Sequence, residues 1–394
     1  MNSIKKTNLN LSQKKILLRL DLNVPIENGK IIDSNRIDKI IPTLKYLIEK
    51  KSKILIISHI GRPGGKVNKK LSLKPVCEYL RKNFSKKIEL IEKNLTKLNN
   101  NEISKYFEKN KILILENIRF YEEEESNEDK FAKHLASLGD VYVNDAFSCS
   151  HRMHSSVFNI TKFIPSYSGI QFDLEVESLK KITENIQKPV TCIIGGSKIS
   201  TKIDIIKNLI SKFDKIIFVG GMANNILDFK KHEIGKSIKE INCGSIISEI
   251  FNLSNEHNCK IIYPVDVSVG KNLSDISTIK EINQVKKDEI ILDIGPNTIK
   301  IIENTIEESK TILWNGPAGY FENKNFSTGS EKIAKKIAEC NKLKKNFSVA
   351  GGGDTVAVIN SLNLINNFNF VSTAGGAFLE FLEGKELPGI KALN

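Results

Sequence analysis

Eleven short runs rich in Ile, Leu and Val recur along the chain, and they characteristically end in glycine, proline or a polar residue before the next segment begins. In the first half they are KILLRLDLNVP, KILIISHIGRP, KILILENIRF and VYVNDAF; in the second, VTCIIGG, KIIFVGG, KIIYPVDV, IILDIGP, TILWNGP, NFSVAGGGD and FNFVSTAGG. Between them lie helix-period stretches such as NRIDKIIPTLKYLIEK and NEDKFAKHLASLG. Short apolar runs alternating with amphipathic helical segments are the pattern of parallel strands covered on both faces by helices. The expected fold is therefore α/β, with two doubly wound parallel-sheet (Rossmann-like) domains joined by a helix and a cleft between them. A length of 394 residues suits two domains of ordinary size. The joining helix is SGIQFDLEVESLKKITENIQKP, 168–189, closed by Pro189.

In such sheets ligands bind outside the carboxyl ends of the strands. The unusual residues sit there: Asp21 and Asn23, His59 and Arg62, Arg119, Asp145, and the glycine pairs of the second half.

A net charge of +13 is compatible with nucleic acid, a membrane surface or anionic small substrates. The basic residues are spread along the chain without a basic tail or an aromatic-interleaved stripe, which disfavours nucleic acid. No stretch has the apolar length of a membrane span and the N-terminus has no apolar signal core, so a cytoplasmic location is expected. Six cysteines lie far apart with no C-x-x-C pair and read as reduced thiols.

Of the 59 basic residues only six are arginine (Arg19, Arg36, Arg62, Arg81, Arg119 and Arg152), all within the first 152 residues, whereas 19 of the 24 glycines follow residue 168. Arginine offers a planar, bidentate grip on phosphate or carboxylate, and glycine turns offer backbone N–H donors to phosphates. Arg81, inside CEYLRKNF, reads as an ordinary helix residue. Side-chain anion grips thus belong to the first half and backbone cradles to the second.

Several familiar chemistries fail. HEIGKS lacks the earlier glycine of a phosphate loop, and neither G-x-G-x-x-G nor G-x-S-x-G occurs. Cys149, His151 and His154 in CSHRMHSS have metal-like spacing but lack a local fourth ligand and surround Arg152. Phosphoryl transfer suits the inventory, because it needs chiefly positioning and positive charge around the moving group. With an anionic acceptor such as a carboxylate, no general base is needed.

SVAGGGDTVAVI, 348–359, places an acid, Asp354, where a glycine turn would cradle phosphate. Two roles compete. Asp354 is either a ligand of Mg²⁺, which takes one or two carboxylates together with phosphate oxygens, or the N-cap of the following helix.

The ordered set RLDLNVPI, SHIGRP, ENIRFYEEE, YVNDAFSCSHRMHSS, GGSKISTKI, GGMA, DIGPNT, LWNGPAGYFE, GGGDT and STAGGAFLEFLEGKELPGIKAL, running from residue 19 to 393, closely resembles the successive motifs of the phosphoglycerate kinase family. The resemblance implies reversible phosphoryl transfer between 1,3-bisphosphoglycerate and MgADP, giving 3-phosphoglycerate and MgATP, by a cytoplasmic monomer in glycolysis and gluconeogenesis. It implies substrate-binding residues Asp21, Asn23, Arg36, His59, Arg62, Arg119 and Arg152. Asp21 and Asn23 would hold the hydroxyl and carboxylate end; His59, Arg62, Arg119 and Arg152 the remote phosphate; Arg36 the transferring group. Lys202 would hold ATP phosphate and Lys198 neutralise charge during transfer, with Arg36, Lys198 and Lys202 catalytic. Glu322 would hold the ribose, Asp354 the Mg²⁺, and Asn315, Gly195, Gly196, Gly220, Gly221, Gly352, Gly353, Thr355, Gly375 and Gly376 the nucleotide and phosphate path.

Read plainly, Lys198 and Lys202 are instead an i, i+4 pair on one helix face, and Asp21 and Asn23 are turn residues before Pro25. The resemblance further implies a phosphoglycerate-binding domain over 1–168, a connecting helix over 169–188, a nucleotide-binding domain over 189–379, and a last segment, 380–394, returning to the first domain. Closure would hinge about 168–189 and 376–380. The chain departs from the family's usual pattern at Ala374 and Phe378, where glycine and a small hydroxyl residue are usual, and at the SCS of 148–150. Two other readings are another acyl-phosphate-forming kinase on the same scaffold, separable by substrate profiling, and a non-catalytic basic binding protein, which would bind polynucleotide with steep salt dependence and show no turnover.

Overall fold

The aliphatic runs of the first half become β1 (Lys15–Leu20), the short hairpin β2 (Ile26–Glu27) and β3 (Lys30–Ile31), β4 (Lys53–Ile57), β5 (Ile88–Ile91), β6 (Ile112–Leu115), β7 (Val141–Asp145) and β8 (Ser166–Ser168) in a computed structural model that describes residues 1–84 and 87–394. Six of these form one parallel sheet in the order β5-β6-β4-β1-β7-β8. Successive side chains of a strand point to opposite faces, and the runs feed two cores accordingly. Ile16, Leu18, Ile54, Ile56, Ile112 and Ile114 pack on one face, and Leu17, Leu55, Ile57, Leu113 and Leu115 on the other. The edge strand β5 has no counterpart among the eleven runs, because IELI is short and interrupted by Glu89.

In the second half follow β9 (Val190–Ile194), β10 (Lys215–Phe218), β11 (Lys260–Ile262), β12 (Asp266–Gly270), β13 (Thr278–Glu281), β14 (Ile290–Ile294), β15 (Thr311–Asn315), β16 (Phe347–Gly351) and β17 (Phe370–Ser372). A second parallel sheet has the order β11-β10-β9-β15-β16-β17. The sequence of IILDIGP suggests a further parallel strand; instead β14 pairs antiparallel with β12, which also pairs antiparallel with β13. KIIYPVDV is likewise split between β11 and β12. β13 is largely exposed, which an antiparallel sheet tolerates on one face.

Two units result: Met1–Val176 with Glu386–Asn394, and Glu177–Lys385. The division falls within the helix Ile170–Thr183. That helix is shorter than the 168–189 suggested by sequence: the N–H groups of Glu184 and Asn185 both donate to the Lys180 carbonyl at 2.8 and 2.9 Å, closing it before Pro189. In the first unit, the returning segment is fastened by the Gly389 N–H to the Ser150 carbonyl at 2.8 Å and the Asn2 N–H to the Leu393 carbonyl at 3.1 Å. All six cysteines are free and buried. Among the described residues, no helix is long and apolar enough to cross a membrane.

Candidate active site

In the first unit the polar residues gather at the carboxyl ends of β1, β4 and β6. Asp21 follows β1 directly and is buried. Its carboxylate accepts from the Asn23 N–H at 3.1 Å, from Ser148 Oγ at 2.5 Å and from Arg36 Nη1, which lies 2.9 Å from Oδ2 and 3.1 Å from Oδ1. Arg36 stands in the first turn of the helix Asn35–Glu49, whose Ile37, Ile40, Leu44 and Leu47 are buried, so packing holds the guanidinium's base. Its Nη1 also donates to the Asn23 carbonyl at 3.2 Å. Asn23 Oδ1 accepts from the Gly61 N–H at 2.9 Å, and the Gly61 carbonyl accepts from Arg119 Nη1 at 3.0 Å. Asp21, Asn23, Arg36 and Arg119 are thus one bonded constellation. Arg62 and Arg152 are exposed, and their side chains have no hydrogen bond or ion pair among the described residues.

Beneath this layer Arg19 and His59, which the sequence singled out, join Ser156 and Glu124, which it did not, and Arg19 is spent on these internal bonds rather than offered to an anion. Arg19 is fully buried; its Nε donates to Ser156 Oγ at 2.9 Å, and its Nη2 lies 3.2 Å from His59 Nδ1. Ser156 in turn donates through Oγ (2.6 Å) and N–H (2.8 Å) to the fully buried Glu124. A guanidinium only donates, so His59 Nδ1 is the acceptor and the ring proton sits on Nε2. Burial, followed by the charges of Arg19, Arg119 and Arg36, holds His59 well below the ordinary histidine range. Burial and Arg152 push His151 down to about 4, and burial and Arg119 push His154 down to about 3. Burial lowers Arg119 itself, whose Nε is 3.3 Å from Glu125. The site therefore presents neutral imidazoles among arginines, the charge state suited to receiving an anion. Cys149, His151 and His154 join no metal-binding group of three among the described residues. Glu124 escapes sequence reading because YEEEES looks like a solvated acidic run.

In the second unit the strand order reverses between β9 and β15, the switch point where open α/β sheets bind ligands. Lys202 occupies it: Nζ donates to the Gly195 carbonyl at 2.7 Å and to Asn315 Oδ1 at 2.6 Å, one from the end of each strand. Asn315 Nδ2 passes the connection to the Gly351 carbonyl at 2.7 Å. Burial lowers Lys202 to about 8, opposed by Cys192 and Asp354. Asn315 and Thr355 are buried and engaged by the protein, Thr355 Oγ1 accepting from the Gly316 N–H at 2.7 Å; they shape the backbone of the site.

The helix Gly353–Ser361 begins after Gly352, whose φ of +97° and whose close approach to Asn315 Nδ2 both exclude a side chain. Gly352 is the N-cap, so the capping role weighed for Asp354 is not the one it has: Asp354 is exposed in the first turn, its side chain with no hydrogen bond or ion pair among the described residues. An unshared carboxylate of hard oxygen donors, electrostatically linked to Lys202, fits a Mg²⁺ ligand that shares the ion with phosphate oxygens. Lys198 and Lys202 do not share a helix face. Lys198 lies exposed in irregular backbone and Lys202 ends the 3₁₀ turn Ser200–Lys202, whose start is held by Glu240 accepting from the Ser200 N–H at 3.0 Å.

A cavity of about 530 Å³ adjoins the switch point, lined by Gly196, Gly220, Gly221, Glu322 and Asp354 among others. Lys198, Lys202, Gly195, Asn315, Gly352, Gly353, Thr355, Gly375 and Gly376 are not part of its lining. Gly375 and Gly376 open the short helix Gly376–Leu382 instead. Ala374 does not have a positive φ, and Phe378 is fully buried with its ring against Gly351, so neither departure strains the glycine turn.

The model of the phosphoglycerate kinase family matches residues 6–385. The phosphoglycerate kinase of Wolbachia pipientis from Culex pipiens is 44% identical over 382 residues, 96% of this chain and 96% of that protein. That of Dictyoglomus turgidum is 43% identical over 98% of this chain and 96% of the other. Among solved structures, phosphoglycerate kinase from Coxiella burnetii aligns with a TM-score of 0.90 at 39% identity, covering 99% of this chain and 98% of that one. The enzyme from Pyrococcus horikoshii aligns with a TM-score of 0.83 at 27% identity over 100% and 98%. Full-length similarity of this degree, on a fold whose strand ends carry these residues, means that the chain belongs to the phosphoglycerate kinase family.

Proposed function

We propose that this enzyme, a cytoplasmic monomer of glycolysis and gluconeogenesis, transfers a phosphoryl group reversibly between 1,3-bisphosphoglycerate and MgADP, giving 3-phosphoglycerate and MgATP. In the direction of ATP use, a carboxylate oxygen of 3-phosphoglycerate forms the new P–O bond as the bond from the γ-phosphorus to the β-phosphate oxygen breaks, and ADP leaves. The acceptor is already an anion, so no proton need be removed. Catalysis is positioning and charge stabilisation.

The first unit supplies the phosphoglycerate site. Asp21 and Asn23 take the hydroxyl and carboxylate end. Arg62, Arg119, Arg152 and the Nε2–H of neutral His59 take the remote phosphate, and Arg36, pre-aligned by Asp21, reaches the transferring group. The second unit supplies the nucleotide site. Lys202 takes ATP phosphate, Lys198 offsets charge as the group moves, and Glu322 takes the ribose hydroxyls. Gly195, Gly196, Gly220, Gly221, Gly352, Gly353, Gly375 and Gly376 let the backbone approach the phosphates, with Asn315 and Thr355 supporting the turns. Asp354 would hold Mg²⁺, which when bound neutralises phosphate charge. Substrates on separate units must be brought within bonding reach and away from water before transfer.

The observation that carries this reading is Lys202 at the switch point beside the unshared Asp354. The test is ADP formation from MgATP with 3-phosphoglycerate, glycerate, acetate and aspartate as acceptors. Turnover confined to 3-phosphoglycerate is expected. Turnover with another carboxylate would assign a different acyl-phosphate kinase, and tight polynucleotide binding without turnover would assign a binding protein.

A further inference from the structure

Asp293 ends up buried at the wall of the nucleotide cavity, although it is an acid near the end of an aliphatic strand, β14. Its Oδ1 accepts from the Ile294 N–H at 2.9 Å and its Oδ2 from the Gly329 N–H at 2.7 Å. Burial, the larger influence, pushes the carboxyl up to about 7 against these two donors. A buried carboxyl held this way is a costly device, and its neighbours suggest its use.

The backbone from 319 to 329 carries Glu322; Asp293 is bonded to the Gly329 end of that stretch and lies against the Gly319 end. A Cβ on Gly319 would lie 2.7 Å from Asp293 Oδ1, and one on Gly329 would overlap the same oxygen. The carboxyl group approaches both glycines, and at Gly319 the Leu292 carbonyl and the Asp293 backbone crowd the same space. Two further bonds close the stretch: the Tyr320 N–H donates to the Leu292 carbonyl at 2.7 Å, and the Ala318 N–H to Ser330 Oγ at 2.8 Å. Glu322 itself is exposed, so its location depends on the backbone that bears it.

We infer that Asp293 is a positioning residue for nucleoside recognition: one buried carboxyl group, bonded to Gly329 at one end of segment 319–329 and packed against Gly319 at the other, fixes Glu322 against the ribose. The inference rests on the reading of Glu322 as the ribose ligand. Asp293 touches no substrate; it acts through Glu322, and losing it loosens ribose selection without touching the phosphate contacts of Lys202.

The test is calorimetric titration of the full chain with MgADP and with the magnesium complex of 2′,3′-dideoxy-ADP, on native protein, Asp293→Asn, Glu322→Ala and the double variant. Thermal unfolding of the full chain, read by the fluorescence of Trp314 in the second unit, serves as the folding control. Native protein should prefer MgADP by about tenfold or more, the worth of a hydrogen bond to a charged group. Glu322→Ala should abolish the preference, Asp293→Asn should cut it to within about threefold, and the double variant should fall no further. Asp293→Asn keeping the native preference, or weakening both nucleotides equally, overturns the inference. No preference in native protein and no change in Glu322→Ala would bring down the ribose reading and the inference together, a result distinguishable from the first. If Asp293→Asn fails the folding control, Gly329→Ala, which crowds the same carboxylate from the other side, is judged by the same criteria.

Discussion

Lys202 Nζ donates to Asn315 Oδ1 at 2.6 Å, so one ammonium joins the ends of β9 and β15 at the point where the strand order of the second sheet reverses. A lysine buried there is held down to about 8, which has a definite sign. The folded state binds this proton less tightly than the unfolded chain, whose lysines titrate near 10.4, so its unfavourable contribution is full below about pH 8 and fades as pH rises beyond it. Nucleotide phosphate would raise the value again. Titrating MgADP at pH 8.5 in buffers of different ionisation enthalpy should therefore show proton uptake, absent in Lys202→Met. Equal heats in all buffers for the native chain would contradict the assignment.

Asp21 carries the combined demands of Arg36 and Ser148, at 2.9 and 2.5 Å. Arg36→Lys keeps the charge but not the fork, and kcat should fall about 10²-fold, comparable with removal of one transition-state donor, with a smaller change in 3-phosphoglycerate KM. Ser148→Ala should instead raise that KM by up to about tenfold, the effect of one charge-assisted hydrogen bond. Steady-state kinetics separate the two; a larger kcat loss in Ser148→Ala than in Arg36→Lys would reverse the roles.

His154, buried 3.8 Å from Glu124 yet pushed down to about 3 mainly by burial and Arg119, must be neutral in the folded protein. A depressed histidine contributes stability that is fully present above about pH 6.5 and is lost as pH falls toward its folded value. The raised carboxyls Glu124, Asp145 and Asp293 act in the opposite sense, so total stability is the wrong readout. The difference in urea unfolding free energy between native and His154→Gln should shrink as pH falls below 6.5, by up to about 1.4 kcal/mol per unit. A difference independent of pH between 7 and 4.5 would refute the neutral assignment.

Much of this was legible in sequence because strand ends are marked by abrupt changes of residue type. Asp21, His59 and Arg119 stand out against the aliphatic runs before them, and the scarcity of arginine drew attention to the half in which Asp21, Asn23, Arg36 and Arg119 are bonded together. What was not legible depends on contacts between distant segments. Glu124 and Ser156 are 32 residues apart, and nothing local tells a buried acid from its solvated neighbours in EEEE. Asp293 looks like any strand-end acid until Gly319 and Gly329 are brought against it. The lysine pair misled because i, i+4 spacing implies a shared face only if a helix has already begun, and here it starts at Ile203, after Lys202.

The central claim, phosphoryl transfer at a magnesium nucleotide site, is tested most directly by ATP consumption with 3-phosphoglycerate across a Mg²⁺ titration, on native chain and on Asp354→Ala. Asp354 is exposed and unshared, so the variant should unfold at the native temperature. Native turnover should require both Mg²⁺ and 3-phosphoglycerate, and the variant should lose about 10²-fold or more in kcat/KM for MgATP. A folded native chain without turnover, or a variant as active as the native chain at every Mg²⁺ concentration, would contradict the account.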